Sequence, residues 1–177
     1  MKRRFVVSPL LVVSAACTGP APSPAFHVPD SLKPAATEQA LATLAARGVQ
    51  IYECRAKQDE PRSTGWAFVA PEADLFGAQG RPVGRHYAGP TWESVDGSKV
   101  VGTVKARADA PRPSSIPWLL LTTRSEGPDG EFAKATSIQR INTAGGGAPA
   151  ADDCTPASLG KSARVAYTAD YVMFGSR

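Results

Sequence analysis

The sequence predicts a mainly β, single-domain protein, an antiparallel β-sandwich or barrel with one short N-terminal helix. Three observations predict it. Segments rich in branched and aromatic residues recur at near-regular spacing. Gly, Pro and Asp-Gly signals separate them. The strand–helix alternation of a doubly wound sheet is absent.

The chain opens with Lys2, Arg3 and Arg4, followed by an apolar run, Phe5 to Val13, and the small residues Ser14-Ala15-Ala16. A basic start, a short apolar run and a small-residue site make a secretory signal of residues 1–16, too short in its apolar part to span a bilayer as an anchor. Cys17 stands where a lipobox places its acylated cysteine. Ser14 occupies the position that usually holds Leu, so ordinary cleavage between Ala16 and Cys17 is the alternative. Residues 17–36 carry Pro20, Pro22, Pro24, Pro29 and Pro34. Such a stretch behaves as a semi-rigid spacer, which suits a tether between a lipidated Cys17 and a folded domain of residues 37–177.

In "TEQALATLAARG", 37–48, Leu41, Leu44 and Ala45 share a helical stripe, and Gly48 can end it. Everything later reads as strand: 48–56, 65–70, 84–88, 91–95, 99–108, 116–123, 131–143 and 163–174. In 99–108, Val100, Gly102, Val104 and Ala106 form the set that faces the core. The segment "IPWLLLTT" is apolar on both faces, as a central strand of a layered β-structure is, and Trp118 belongs to its buried part. Asp96-Gly97, Pro128-Asp129-Gly130 and Gly145-Gly146-Gly147 mark turns.

Cleavage after residue 16 leaves 161 residues, enough for one core. It also removes three of the 20 basic residues and none of the 16 acidic ones, so the mature net charge is close to +1. That balance gives no case for a nucleic-acid partner. Of the three cysteines, Cys54 and Cys154 remain once Cys17 is assigned to processing. In an oxidising compartment they make one disulfide closing a long loop. A metal site lacks ligands, because neither cysteine has a second one nearby and the domain owns a single histidine, His86.

Nucleotide motifs fail on context. "GGGAPA", 145–150, is followed by Asp152, Asp153 and Cys154 rather than by a helix that could receive a pyrophosphate. "GKS", 160–162, has Thr155 where a P-loop needs its first glycine. No cofactor is implied.

The blocks "GVQIYECRA", "WAFVAPEADLF", "GRHYAGPTWESVDGSKVVG", "IPWLLL", "IQRINTAGGGAPADDC" and "YTADYVMF" together resemble a domain-of-unknown-function family of secreted or envelope proteins from bacteria and fungi, over roughly residues 47–174. The resemblance implies an extracytoplasmic address and no established activity. Some fungal members bear a malate-dehydrogenase label. This chain offers neither a cofactor half nor a substrate half to support it.

The stretch from 85 to 100 holds the densest chemistry. Asp96-Gly97 is a hairpin turn signal, which makes Asp96 a turn residue before a catalytic one. By alternation Trp92 and Ser94 share one face, and Thr91, Glu93 and Val95 the other. Trp92 is either core or a ring offered to a ligand. His86, by its intrinsic pKa, is the one imidazole available for acid–base work, with Glu93 or Asp96 beside it. Arg140 shares a face with Ile138. If that face is interior, Arg140 needs a carboxylate partner such as Glu93 or Asp170.

Two functions follow. The first is a non-enzymatic binding or structural module of the cell envelope, held to the membrane by its lipid and presenting Tyr87, Trp92 and Arg140 to a glycan, an envelope component or a small apolar ligand. The second is a secreted hydrolase using His86 with Glu93 or Asp96. The protein is expected outside the cytoplasm, as an envelope lipoprotein or as a soluble periplasmic or secreted domain.

Overall fold

A computed structural model describes residues 27–177 apart from Pro61. The expected signal segment and lipid-bearing Cys17 lie outside the described residues. Eight antiparallel strands follow one another around a closed barrel: β1 (Glu38–Ala56), β2 (Thr64–Phe76), β3 (Pro82–Tyr87), β4 (Thr91–Ser94), β5 (Lys99–Ala108), β6 (Trp118–Ser125), β7 (Ser137–Gly145) and β8 (Ser162–Ser176). The last strand closes on the first, from Glu38↔Ser176 to Glu53↔Ser162.

The sandwich-or-barrel expectation thus resolves to a barrel, but residues 37–48 are not helix. Alternation, with Leu44 and Ala46 inward and Ala45 outward, governs this stretch. A lone helix of about twelve residues is marginal in water. Here the same residues gain a backbone partner in β8 along their length and a second in β2 from Ala45 onward. The short N-terminal helical element is instead one 3₁₀ turn, Asp30–Leu32. Gly48 is no helix cap: a Cβ there would stand 2.0 Å from the Glu72 carbonyl oxygen, so it lets β1 and β2 pass closely.

Two further boundaries move. β2 runs on through Pro71, which pairs with Gln50 next to a register slip at Ile51/Tyr52, a place where a strand tolerates a residue without an N–H. The segment 131–143 divides into a 3₁₀ turn, Phe132–Lys134, and the start of β7.

Apolar residues fill most of the inside, and most charges sit outside. Leu44, Leu75, Val100, Ile138, Tyr171 and Met173 are buried in the interior, whereas Arg47, Glu72, Asp74 and Arg164 point out. A transmembrane barrel has the opposite pattern. No described helix is long and apolar enough to cross a membrane.

A second, smaller cluster lies on the outside. Leu32, fully buried, covers Trp118 and Leu120, and Val28 packs beside them. Gln139 donates from Nε2 to the Leu32 carbonyl at 2.6 Å. This strap explains why β6 is apolar on both faces: Leu119 and Leu121 look inward, Trp118 and Leu120 look under the strap. Packed residues therefore reach at least to Val28, within the stretch read as spacer. Register slips between Val104 and Ala106, so Ala106 joins the strap cluster instead of the interior set with Val100 and Gly102.

One end of the barrel is plugged. The turn around Phe132 lies against β4, β5, β6 and β8, and the Phe132 ring is fully buried in the interior cluster. Asp96 secures it. Its Oδ1 accepts from the Ser98 N–H (2.8 Å) and hydroxyl (2.6 Å), its Oδ2 accepts from the Glu131 N–H (2.9 Å), and Ser98 Oγ in turn accepts from the Phe132 N–H (3.0 Å). Hydrogen bonds from Ser98, then from Glu131, hold the Asp96 carboxyl well below the usual range.

Near the other end Cys54 and Cys154 form a disulfide across 100 residues of sequence. It ties the end of β1 to the loop before β8. In the loop-entropy picture a closure of that length contributes about 4–5 kcal/mol. Replacing both cysteines by Ser should lower the unfolding free energy in urea by a few kcal/mol. An unchanged midpoint and slope would show that the loop is held by its other contacts alone.

Candidate functional site

The unplugged end opens into a cavity of about 560 Å³. Its floor and walls come from Gln50 and Tyr52 on β1, His86 on β3, Trp92 on β4, Leu121 on β6, Arg140 on β7 and Tyr171 on β8. Phe68, Val69 and Val104 stand at the rim and are 53%, 44% and 53% exposed. An eight-stranded barrel is just wide enough to hold one small ligand, and this volume is in the ordinary range for a ligand pocket.

Cross-strand register builds the aromatic wall. His86 pairs with Trp92 between β3 and β4. Their rings stack at 4.2 Å with 15° between planes, and Tyr171 meets both edge-on at 5.1 and 5.4 Å. Trp92 is 1% exposed and packs over Gly102, whose missing Cβ would sit 2.9 Å from the indole. Trp92 is thus at once part of the core and part of the cavity wall.

His86 is locked rather than poised. Its Nδ1 donates to the Thr91 carbonyl at 2.9 Å, since a carbonyl can only accept, which leaves Nε2 without a proton. Burial lowers its pKa to about 3, the Arg140 charge pushes the same way, and the Thr91 bond opposes. Among the described residues no carboxylate hydrogen-bonds the ring. Glu93 lies outside the barrel, accepting from the Tyr87 hydroxyl at 2.8 Å and facing Arg85 at 3.6 Å. Asp96 is committed to the plug at the far end. His86 and Glu93 both border one outer groove, but the His86 ring is buried against Trp92 and Tyr171, so the side chains of His86, Glu93 and Asp96 do not converge.

Of the expected ligand-contacting residues, Trp92 and Arg140 meet at the cavity and Tyr87 does not. Tyr87 lines a separate outer groove with Arg47, Glu72, Arg85, Glu93 and Arg164. There Arg164 pairs with Glu72, a solvated ion pair of small worth.

Arg140 does face inward, as its shared face with Ile138 implies, but it has found neither proposed carboxylate. Asp170 accepts from Asn142 Nδ2 at 2.8 Å instead. Arg140 donates from Nε and Nη2 to one oxygen, the Pro117 carbonyl, at 3.0 and 2.9 Å. Half-buried exposure lets the guanidinium persist without a counter-ion, because water reaches it through the mouth.

Polar groups missed by sequence reading complete the site. Gln50 is 2% exposed and interrupts the apolar inward set of β1, a visible clue once β1 is a strand. Its Nε2 makes no hydrogen bond of good geometry, although the side chain lies beside the Tyr167 hydroxyl, and the Trp92 indole nitrogen has no partner. Tyr52 donates to the Gly146 carbonyl at 2.6 Å, which pins the glycine-rich loop over the cavity edge. Tyr167 and Tyr171 sit with hydroxyls 3.4 Å apart, and burial pushes both phenols up, so they remain neutral donors. No group of three potential metal ligands exists among the described residues.

Residues 34–175 match the model of a family described as "Protein of unknown function (DUF3455)". No curated protein and no solved structure matches the chain.

The locked histidine makes folding pH-dependent. Above about pH 6.5 both folded and unfolded His86 are neutral. Between 6.5 and about 3 the unfolded imidazole takes a proton that the folded one refuses, so stability falls as pH falls. Over pH 6 to 4 the wild type should lose up to about 1.4 kcal/mol per pH unit more than His86→Phe, measured by urea unfolding. Parallel pH profiles for the two proteins would mean that His86 titrates normally.

Proposed function

We propose that this chain, which belongs to the DUF3455 family, is an exported binding module that holds a small, mostly apolar ligand in the open end of its barrel. The carrying observation is the cavity itself: about 560 Å³ inside a barrel sealed by Phe132 at one end and open at the other. Aromatic and aliphatic side chains form most of its wall, with a few convergent polar groups, which is the composition that small-molecule sites share. Two polar nitrogens without a hydrogen bond of good geometry, Gln50 Nε2 and Trp92 Nε1, are what a site looks like when part of its hydrogen bonding is reserved for a guest.

A small apolar ligand suits this geometry better than a glycan. Sugar recognition wants rings presented flat at a surface with many hydrogen-bonding side chains around them, and Trp92 is walled in by His86, Tyr171 and Gly102. Hydrolysis by His86 receives no support from the geometry, since its acid–base partners are elsewhere.

Two features of the chain support an extracytoplasmic address. The Cys54–Cys154 disulfide is favoured outside the cytoplasm. The basic and apolar leader before Cys17 supplies an export route and a lipid attachment point. The domain would then sit on the outer side of a membrane, close to a source of apolar molecules.

Two measurements test these statements. A panel of medium-chain alkyl and aromatic alcohols and acids, titrated by calorimetry, should include binders, and Leu119→Trp, which narrows the cavity, should weaken them at least about tenfold while leaving the circular dichroism unchanged. A panel without a single binder would remove the cavity as a functional site. Intact-mass spectrometry of the membrane-extracted protein should find an acylated Cys17 as the first residue. A mature chain starting at Cys17 without lipid would make it a free exported protein.

A further inference from the structure

We propose that the ligand carries an anionic head group and that Arg140 is the residue that receives it. This rests on the cavity being the binding site and goes on to say what class of molecule fills it.

Charge at the mouth is of one sign. Arg140 projects into the cavity from β7 and Arg107 stands at its rim from β5, while Asp and Glu are absent from the cavity lining. The guanidinium has five N–H donors. The Pro117 carbonyl takes two of them, the Tyr171 hydroxyl lies within reach of the guanidinium, and no carboxylate lies within ion-pair distance among the described residues. An inward-facing, half-buried arginine that has only water and neutral groups for company is placed to receive a group of opposite charge in exchange for that water.

The surroundings agree with this. The bonds to the Pro117 carbonyl, just before β6, fix the guanidinium plane, so it loses little freedom when a ligand arrives. Its positive charge reaches inward, biasing His86, Tyr52, Tyr167 and Tyr171. Beyond it Leu121, Ile116 and the ring faces of Trp92 and Tyr171 line the cavity and offer a mostly apolar body. A cation at the entrance over an apolar floor fits an amphiphile inserted tail first, with its anion at the mouth. The neighbouring donors of Gln50 and Trp92 can add hydrogen bonds to the same oxygen atoms.

The test compares dodecanoate with 1-dodecanol at pH 7.5, by calorimetry, on the full chain carrying Cys17→Ser so that no acyl group of its own competes. A charge-assisted contact of this kind corresponds to about a 10- to 100-fold preference for the acid. Arg140→Gln should remove that preference, leaving the alcohol's affinity within about threefold of wild type. Raising salt should weaken the acid more than the alcohol. Equal affinity of wild type for acid and alcohol would overturn the anionic head group while leaving the apolar cavity intact. Binding of neither would overturn both. Should Arg140→Gln fail to fold, the acid-to-alcohol ratio and its salt dependence in the wild type decide alone.

Discussion

Pairing of the first strand with the last gives this chain an inside. β1 and β8 run antiparallel from Glu38↔Ser176 to Glu53↔Ser162, and without that seam eight strands would make an open sheet with two bare edges. Closure turns alternate residues of every strand toward a common axis. It makes Leu44, Trp92, Ile138 and Tyr171 neighbours although they are distant in sequence. It also sets the width: eight strands enclose room for side chains, or for side chains at one end and a guest at the other. Gly48 and Gly84 serve the same closure, since a Cβ at either would collide with the carbonyl of the adjacent strand, at Glu72 and Glu93.

The two ends of this interior have different chemistries. At the plugged end a carboxylate, Asp96, is used up entirely in ordering backbone, and an aromatic ring fills the bore. At the open end an arginine leans on the Pro117 carbonyl and the Tyr171 hydroxyl with no counter-ion, apolar rim residues are exposed, and the Trp92 indole nitrogen lacks an acceptor. Around Asp96 every acceptor is used to hold backbone, whereas at the cavity the Trp92 nitrogen remains for a ligand to complete. His86 belongs with the first kind of residue despite its position near the second. Its ring is a stacking partner for Trp92, and its proton stays on the nitrogen that faces Thr91.

Much of the fold was legible. Strand alternation located most of β5, β6 and β8, Asp96-Gly97 marked its turn, and the two distant cysteines proved to be partners. What misled was local pattern without knowledge of partners. The Leu41/Leu44 spacing fits a helix as well as a strand, and only β8 and β2 decide the matter. The bulge at Val104/Ala106 reverses which residues face in, and no residue type announces it. The strap under Leu32 is hidden in a proline-rich stretch that composition assigns to spacer. At the site, Trp92 and Arg140 were visible as candidates because large rings and arginine are costly on inward faces. Gln50 and Tyr52 were not, although 48–56 reads as strand, because Val49 and Ile51 on the opposite face look the more apolar set, and yet they are the less buried. Tyr87 and Glu93 drew notice by proximity in sequence to His86, yet adjacent strand residues point to opposite sides of the wall.

The most direct measurement is a ¹H–¹⁵N correlation spectrum of the protein titrated with dodecanoate, observing the Arg140 Nε–H and the three indole N–H groups. Ligand seated in the barrel moves the Arg140 and Trp92 signals together and leaves Arg85 and Arg164 on the outer groove unmoved. Shifts confined to Arg85 and Arg164, with Arg140 and Trp92 still, would place binding on the outside of the barrel and contradict an internal site.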